Sequence, residues 1–585
     1  MKKYIQPIIR LIISFLFLYC FHTLYYGSAL NAVYQNHNIF TIPVYIGICC
    51  VSFKGWGLYA GLSDRKWLFP GLGLLYSIFF VSGTYLMLYT AITFRSWFFW
   101  LCIIVFAYVM TAFILVFYFL LLPWLHSILV TKTYSKLDYL YHKVNFVSLW
   151  VTIFICWIPV LLAFYPGIFS YDAKWQCSQV GEILKLTSHH PVIHTLFLGG
   201  CVYFGKSVLH SANTGLLLYS LVQMLINSAI FAYCLVYIKK LKASSIVFIG
   251  CFIFYALIPF NSLFSICATK DVIFASLFLL FAILLCKIAF NPTDFFSSWK
   301  QSVAFICICF MLLIFRNNML YAFLISIPFL LIIYRRYWKH MAVILIVPIL
   351  LLKLYEGLLY PVLQVSPGNS REAYSVIMQQ YACVYNECTL DEADRELLLE
   401  LMDDASWKKY EPHKSDAVKD HFNTRNFEDN IGDYISLWVK LGIQHPSQYI
   451  NAFMNLTYGY WYPNDVLPDT TTYRKFIEIS DGDDITFNSK WPWLFDKLYY
   501  FGMGSSYQKL PVLSMLFSPA AYVWTILFLC IVCLYHRRCR FFSVMVVPAA
   551  LFLTILLGPV ALLRYIYPIV LCVPLYCVLC SGLRD

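Results

Sequence analysis

The sequence predicts an all-α polytopic membrane protein, and three observations predict it. The 585-residue chain is 61% hydrophobic and only 12% charged, against roughly 25% charged in an average soluble domain. Apolar runs of about 20 residues, long enough to cross the hydrocarbon core, recur along most of it. Basic residues cluster at alternate connections between those runs, where topology signals sit. A soluble chain of this composition would bury many all-round apolar helices in one core, and the charged surface to cover that core is missing. The net charge of +12 therefore reads as topology. No basic patch interleaved with aromatics suggests a groove for nucleic acid, and none is expected as a partner.

Taken in order, the chain starts inside with Lys2, Lys3 and Arg10. The opening resembles a signal peptide, but no small-residue cleavage site follows, so it is read as an uncleaved first helix. About fourteen spans follow, with both termini inside. They are placed at 8–26, 40–53, 70–91, 98–122, 146–164, 213–238, 244–266, 271–290, 301–315, 319–334, 340–360, 512–535, 541–560 and 566–582. The inner connections carry Lys54, Arg65 and Lys66, then Lys132, Lys136 and Lys143, then Lys239, Lys240 and Lys242. Later inner clusters are Arg335, Arg336 and Lys339, and Arg537, Arg538 and Arg540. Short outer connections carry single basic residues: Arg95, Lys270, Arg316 and Arg564. The stretch 191–208 is apolar enough to tempt a span, but counting it would invert every later basic cluster. It is read as a helix lying at the outer surface or dipping partly into the membrane.

Four units result. Residues 1–145 form a four-helix transmembrane block, and 146–360 a transmembrane core whose first outer loop is 165–212. Residues 361–511 form a mainly helical extracytoplasmic domain, and 512–585 a three-helix block. The 21 cysteines lie mostly within apolar runs, where Cys behaves as a small hydrophobe. Cys383 and Cys388 lie in the polar outer region, where either a disulfide or two free thiols fits.

Ionisable groups beside hydrocarbon are costly, so isolated ones are candidates for function. Five places stand out, all on the outer face in this topology. FYPGIFSYDAKWQ (164–176) carries Asp172, a candidate general base or alternatively a helix N-cap, with Gln176 close by. SHHPVIHTL (188–196) carries His189, His190 and His194, suited to phosphate, to orienting a carboxylate or to a metal, although no third metal ligand is evident at a characteristic spacing. Interfacial histidines are the plainer reading. ATKDVIFA (268–275) opens a span with Lys270 and Asp271. An aspartate there suits the helix dipole, whereas Lys270 breaks the charge rule and points to an anion. FRNNMLY (315–321) places Arg316, Asn317 and Asn318 at one outer turn, and GPVALLRYIYP (558–568) places Arg564 and Tyr565 at another. The planar arginine fork suits phosphate oxygens, with snorkelling to headgroups the alternative. In the larger outer region, Arg371, Gln379 and Gln380 suit polar hydroxyls, and Tyr460 and Trp461 suit stacking on a sugar. A surface ion pair and an aromatic belt are the plainer readings of those residues.

In this order, PGIFSYDAKWQ, HHPVIHT, TKDVIFA, RNN, REAYSVIMQQ, GYWYPND and GPVALLRYIYP resemble a bacterial polytopic family of uncharacterised function in the GT-C glycosyltransferase superfamily. The resemblance covers about 165–568, most of the chain after the first four helices. It implies a GT-C-like fold in the cell membrane with an active site facing the extracytoplasmic side. It also implies an acidic residue in the first outer loop (Asp172), a His-Pro element leading into a surface-lying helix (His190 and Pro191), and a second polar element opening a later span (Lys270 and Asp271). The implied partners are a polyprenyl-phosphate-linked sugar and membrane lipid, and the implied reaction moves the sugar to an outer acceptor. In that reaction Asp172 takes the proton of the acceptor hydroxyl, while Lys270, Arg316 and Arg564 stabilise the departing phosphate with His189 or His190 assisting. The loop lacks the paired acidic motif of many GT-C members, which leaves a divalent metal open as cofactor. Two rival classes are a transporter or flippase of lipid-linked glycans, and an envelope polymer ligase or polymerase. A transporter would place its ionisable sites near the midplane, often with repeat symmetry, and neither feature is legible here.

Overall fold

A computed structural model describes residues 2–26, 41–62, 64–124, 135–181, 184–463, 477–480, 482, 484–504, 506–510 and 512–581. Among the described residues the regular structure is helical, and β-type pairing is confined to isolated bridges. The principal helices of the first half are α1 (Lys2–Tyr26), α2 (Thr41–Gly61), α3 (Leu68–Tyr89), α4 (Trp97–Val116) and α5 (Phe146–Ala163). Then come α6 (Val192–Val208), α7 (Ala212–Lys240), the pair α8 (Ser245–Leu257) and α9 (Pro259–Ser265), and α10 (Lys270–Phe290). They continue with α11 (Trp299–Phe315), α12 (Asn318–Ile333) and α13 (Trp338–Val362). The chain closes with α14 (Pro519–Tyr535), α15 (Cys539–Ile555) and α16 (Leu563–Ser581).

Among the described residues nine helices are long and apolar enough to cross a membrane, ten if the bent pair α8–α9 counts as one span. The protein is therefore a multi-pass membrane protein. Four shorter apolar helices, α11, α12, α14 and α15, occupy the other expected positions. Some ends move. The second helix runs to Gly61, not to 53. The span expected at 512 begins only at Pro519, because Leu513–Phe517 forms a 3-10 turn and proline favours the first helical position. The α8–α9 bend of 45° falls at Pro259, which cannot supply a helical N–H. Asn261 donates to the Phe254 carbonyl at 2.7 Å, meeting one of the acceptors left over at the break.

Helix α6, expected at the surface, is not among the apolar crossing helices. It hairpins onto α7 after Ser211, whose side chain accepts from Thr214 N to cap α7. Gly205 and Gly215 let the two backbones touch: a Cβ on Gly205 would lie 2.5 Å from the Gly215 Cα. The centre of the molecule is α10, with 83% of its apolar window buried, and α16, with 78%. Both are apolar on all sides, as central helices must be. Both begin with the charged residues singled out above.

The expected outer domain 361–511 divides in two. Residues between Tyr374 and Tyr449 build a separate core around Met378, Tyr381, Trp407, Phe427 and Leu441. The aromatic run 458–462, with Ile477 and Tyr507, instead packs into the main membrane core. Large rings with little polar surface gain more from that burial than from exposure. Cys383 and Cys388 carry free thiols.

Candidate functional site

The loop after α5 is stitched to the turn before α10. Ile168 N donates to Ile266 O at 2.9 Å, and Ala268 N to Ile168 O at 2.8 Å, forming a parallel bridge. Gly167, at φ +149°, presses against Ser220 of α7 where a Cβ would clash. The bridge carries Asp172, four residues on, towards Lys270. Tyr171 adopts the left-handed region at φ 54°, a strained conformation that side chains rarely hold without a reason. Asp172 stands at the N-cap of the short helix Ala173–Ser178 but makes no capping bond. Its carboxylate turns to a cation instead.

That cation is Lys270. Its ammonium lies 3.3 Å from Asp172 Oδ2 and 3.0 Å from His190 Nδ1, and His190 Nδ1 is 3.8 Å from the same carboxylate oxygen. An ammonium can only donate, so His190 Nδ1 accepts and the neutral ring carries its proton on Nε2. Burial first, then the Lys270 charge, push the His190 pKa down to about 3. Burial raises the Asp172 carboxyl, but Lys270 and Arg564 outweigh it and hold the group well below the usual carboxylate range. In the free protein Asp172 is ionised and a weak base.

Behind this triad lies a second ionic group. Arg316 Nη1 donates to Asp271 Oδ1 at 2.8 Å, and Arg564 Nε lies 3.9 Å from Asp271 Oδ2. The side chain of Asp271 is 1% exposed and those of Arg316 and Arg564 11% each, while Asp172 at 39% stands at the open edge. Arg316 is further held by Asn318 at 2.9 Å and faces the Phe274 and Tyr565 rings. Arg564 donates to the Tyr565 hydroxyl at 3.2 Å and lies over the Tyr171 ring. Its Nε and Nη1 are buried without a hydrogen-bond partner. Three cations here face two carboxylates, with Glu478 acting on the neighbouring Tyr171, and two Arg564 nitrogens stand without a hydrogen-bond partner, donors suited to an anion.

Asp172, His190, Lys270, Asp271, Arg316 and Arg564 therefore converge from five separate segments. Asn317 stands beside them, donating to Ser188 O at 3.4 Å. His189 packs on His190 with ring centroids 4.6 Å apart. Gln176 turns inward to Thr195 at 3.1 Å, which orients α6 and leaves its amide unavailable to a sugar. The residues proposed for sugar or acceptor in region 361–511 do not join the site. Gln379 donates to the Glu411 carbonyl, and Gln380 donates to the Tyr449 carbonyl while accepting from Trp438. Arg371 pairs with Asp420 at 3.3 Å. Tyr460 and Trp461 are 1% and 4% exposed and offer no stacking face. The Tyr460 hydroxyl donates to Val560 O and accepts from Leu562 N, bracing the loop that delivers Arg564. For Gln379 and Gln380 the cause is that the amides of a small domain meet its internal hydrogen-bonding needs first, and for Tyr460 and Trp461 it is burial in the main core.

Tyr171 and Phe274 were not predicted, although both sit inside the quoted motifs. Among the described residues no three His, Cys, Asp or Glu side chains gather as a metal site.

The sequence profile of a family described as "Family of unknown function (DUF6020)" matches residues 181–582. No curated protein and no solved structure matches the chain.

Proposed function

The chain belongs to the DUF6020 family, a family of unknown function, and we propose that it is a membrane glycosyltransferase that moves a sugar from a polyprenyl-phosphate carrier to an extracytoplasmic acceptor. One observation carries this reading. An ionised carboxylate at an open edge, Asp172, stands next to a buried cluster of Lys270, Arg316 and Arg564 in which two Arg564 nitrogens have no hydrogen-bond partner. That pairs a base with an anion seat, the two halves of transfer from a phosphate-linked donor.

The sugar phosphate docks against Arg564 and Lys270. Its charge competes with Asp172 for both cations, so the Asp172 carboxyl becomes more basic when the donor is in place. Asp172 then takes the proton of the acceptor hydroxyl, and that oxygen attacks the anomeric carbon opposite the phosphate. The bond from carbon to phosphate oxygen breaks with inversion, and the electron pair leaves on the polyprenyl phosphate. Lys270 and Arg564 meet that developing charge, with Arg316 keeping Asp271 from competing. His190, neutral with its proton on Nε2, is a donor for the sugar or phosphate.

On this reading the four shorter apolar helices also cross, giving about fourteen spans in a GT-C-like arrangement with both termini inside. The site then opens on the side away from the basic clusters, in the cell membrane. The deciding experiment supplies reconstituted protein with radiolabelled polyprenyl-phosphate sugar and an acceptor-containing envelope extract. Label transferred by the wild type and not by Asp172→Asn supports the reading. Label that crosses the bilayer without transfer, or normal transfer by Asp172→Asn, overturns it.

A further inference from the structure

Beneath the triad runs a buried polar chain with no part in the chemistry above. His194, Tyr219 and Gln223 are each fully buried. The Gln223 amide nitrogen donates to the carbonyls of Cys267 at 2.8 Å and Ser265 at 3.0 Å. Only the NH₂ end of an amide can face carbonyls, so Oε1 is the atom that meets the Tyr219 hydroxyl at 2.8 Å, and Tyr219 donates to it. With its proton committed there, the Tyr219 oxygen accepts from His194 Nε2, 2.8 Å away. Each proton in the chain is thereby assigned: His194 is the Nε2–H tautomer, and its buried Nδ1 is a bare acceptor with no partner.

The two ends of this chain hold the parts of the site. Gln223 grips Cys267, which pairs with Ile168 in the bridge leading to Asp172 and lies three residues before Lys270. His194 is one turn beyond His190, on the helix that His190 and Pro191 introduce. We propose that Gln223 and Tyr219 are positioning residues that hold the Lys270 ammonium between Asp172 and His190. A shift at either end pulls one partner away from Lys270, since all three meet at a single nitrogen. This role is tied to the glycosyl-transfer reading only through the triad, and its test is read on His190, not on turnover.

The full chain is labelled with ¹⁵N-histidine in lipid nanodiscs, and the His190→Gln spectrum assigns the His190 signal. In the wild type His190 stays neutral, with Nδ1 accepting, between about pH 5 and 8. In Gln223→Met, which keeps the length and loses the amide, and in Tyr219→Phe, which loses one hydroxyl, His190 begins to titrate in that range or mixes its tautomers. Tyr219→Phe also releases the His194 tautomer. Thermal unfolding identifies the folded variants, and Tyr219→Phe decides if Gln223→Met does not fold. An unchanged His190 signal in a folded variant overturns the assignment, whether or not any sugar is ever transferred.

Discussion

The guanidinium carbon of Arg564 lies 3.8 Å from the centroid of the Tyr171 ring, and Tyr171 holds a left-handed backbone immediately before Asp172. The contact joins the two halves of the site. A flat cation resting on a ring is attracted by the ring quadrupole, and here the ring belongs to the loop that carries the carboxylate. Any movement of Arg564 therefore also acts on the Asp172 loop.

Arg564→Lys tests the shape of the cation as well as its charge. Lysine keeps the charge but loses the planar fork and the ring contact. A hydrogen bond involving a charged group is worth about 1.5–3 kcal/mol, so binding of a short-chain polyprenyl phosphate should weaken roughly 10- to 100-fold. Isothermal titration on the purified protein measures it, and unchanged affinity would remove Arg564 from the anion seat.

Lys270→Met should move the acid limb of the pH–rate profile upward. Lys270 is the largest influence lowering the Asp172 carboxyl, while burial opposes it. With Lys270 gone, burial meets less resistance and protonation reaches Asp172 at higher pH. The same sign applies to stability. A carboxyl lowered on folding contributes above its unfolded pKa of about 3.9 and loses that contribution as pH falls. kcat/KM against pH is the measurement. Asp172→Asn, lacking the base, should lose on the order of 10²–10⁴-fold in turnover while remaining folded, with an unfolding temperature modestly below the wild type because the Lys270 pairing is lost.

How much of this was legible in the sequence depended on what kind of signal each residue gave. Lys270, Arg316 and Arg564 stand out in the sequence because a lone charge at a helix end away from the basic clusters breaks the expected charge pattern, and the structure gathers all three. Asp172 and Asp271 each allowed a capping role. Asp172 makes no cap bond and meets Lys270, while Asp271 keeps its place in the first turn of its helix and also pairs with Arg316; a partner distant in sequence is invisible along the chain. Gln379, Gln380, Tyr460 and Trp461 were misplaced for the converse reason. Their types suit a sugar, but a folded domain uses amides and rings to satisfy its own carbonyls and fill its own core. Nothing local marks which use prevails. Tyr219 and Gln223 sit in a long apolar helix, where a polar residue four apart from another is easily passed over as a neutral core position.

Arg316→Met should be among the most destabilising single changes in the protein. Asp271 is almost wholly buried and takes hydrogen bonds from Arg316 and from the Thr269 hydroxyl. Removing Arg316 leaves that buried charge with only the Arg564 guanidinium at 3.9 Å and the Thr269 hydroxyl, so the cost falls towards the lower end of the range of about 3–5 kcal/mol typical of a broken buried pair. Asp271→Asn on the same background removes that charge and should restore most of the loss. Thermal unfolding of the two variants checks both halves, and equal destabilisation by the single and double changes would contradict the pairing.

Tyr460→Phe separates bracing from recognition. The hydroxyl donates to Val560 O at 3.1 Å and accepts from Leu562 N at 3.2 Å, inside the loop that ends at Arg564. Phenylalanine keeps the ring in the core and leaves that carbonyl and N–H unpaired, a penalty of roughly 1–3 kcal/mol for each buried group. The unfolding temperature should fall. Polyprenyl-phosphate binding should weaken with it, because the Arg564 fork loses its fixed origin. Trp461→Phe provides the contrast: its indole N–H reaches only Thr457, so it should lower the unfolding temperature and leave binding intact. If Tyr460→Phe behaves like Trp461→Phe, the hydroxyl serves the fold alone, and the Arg564 loop is held by the packing around it.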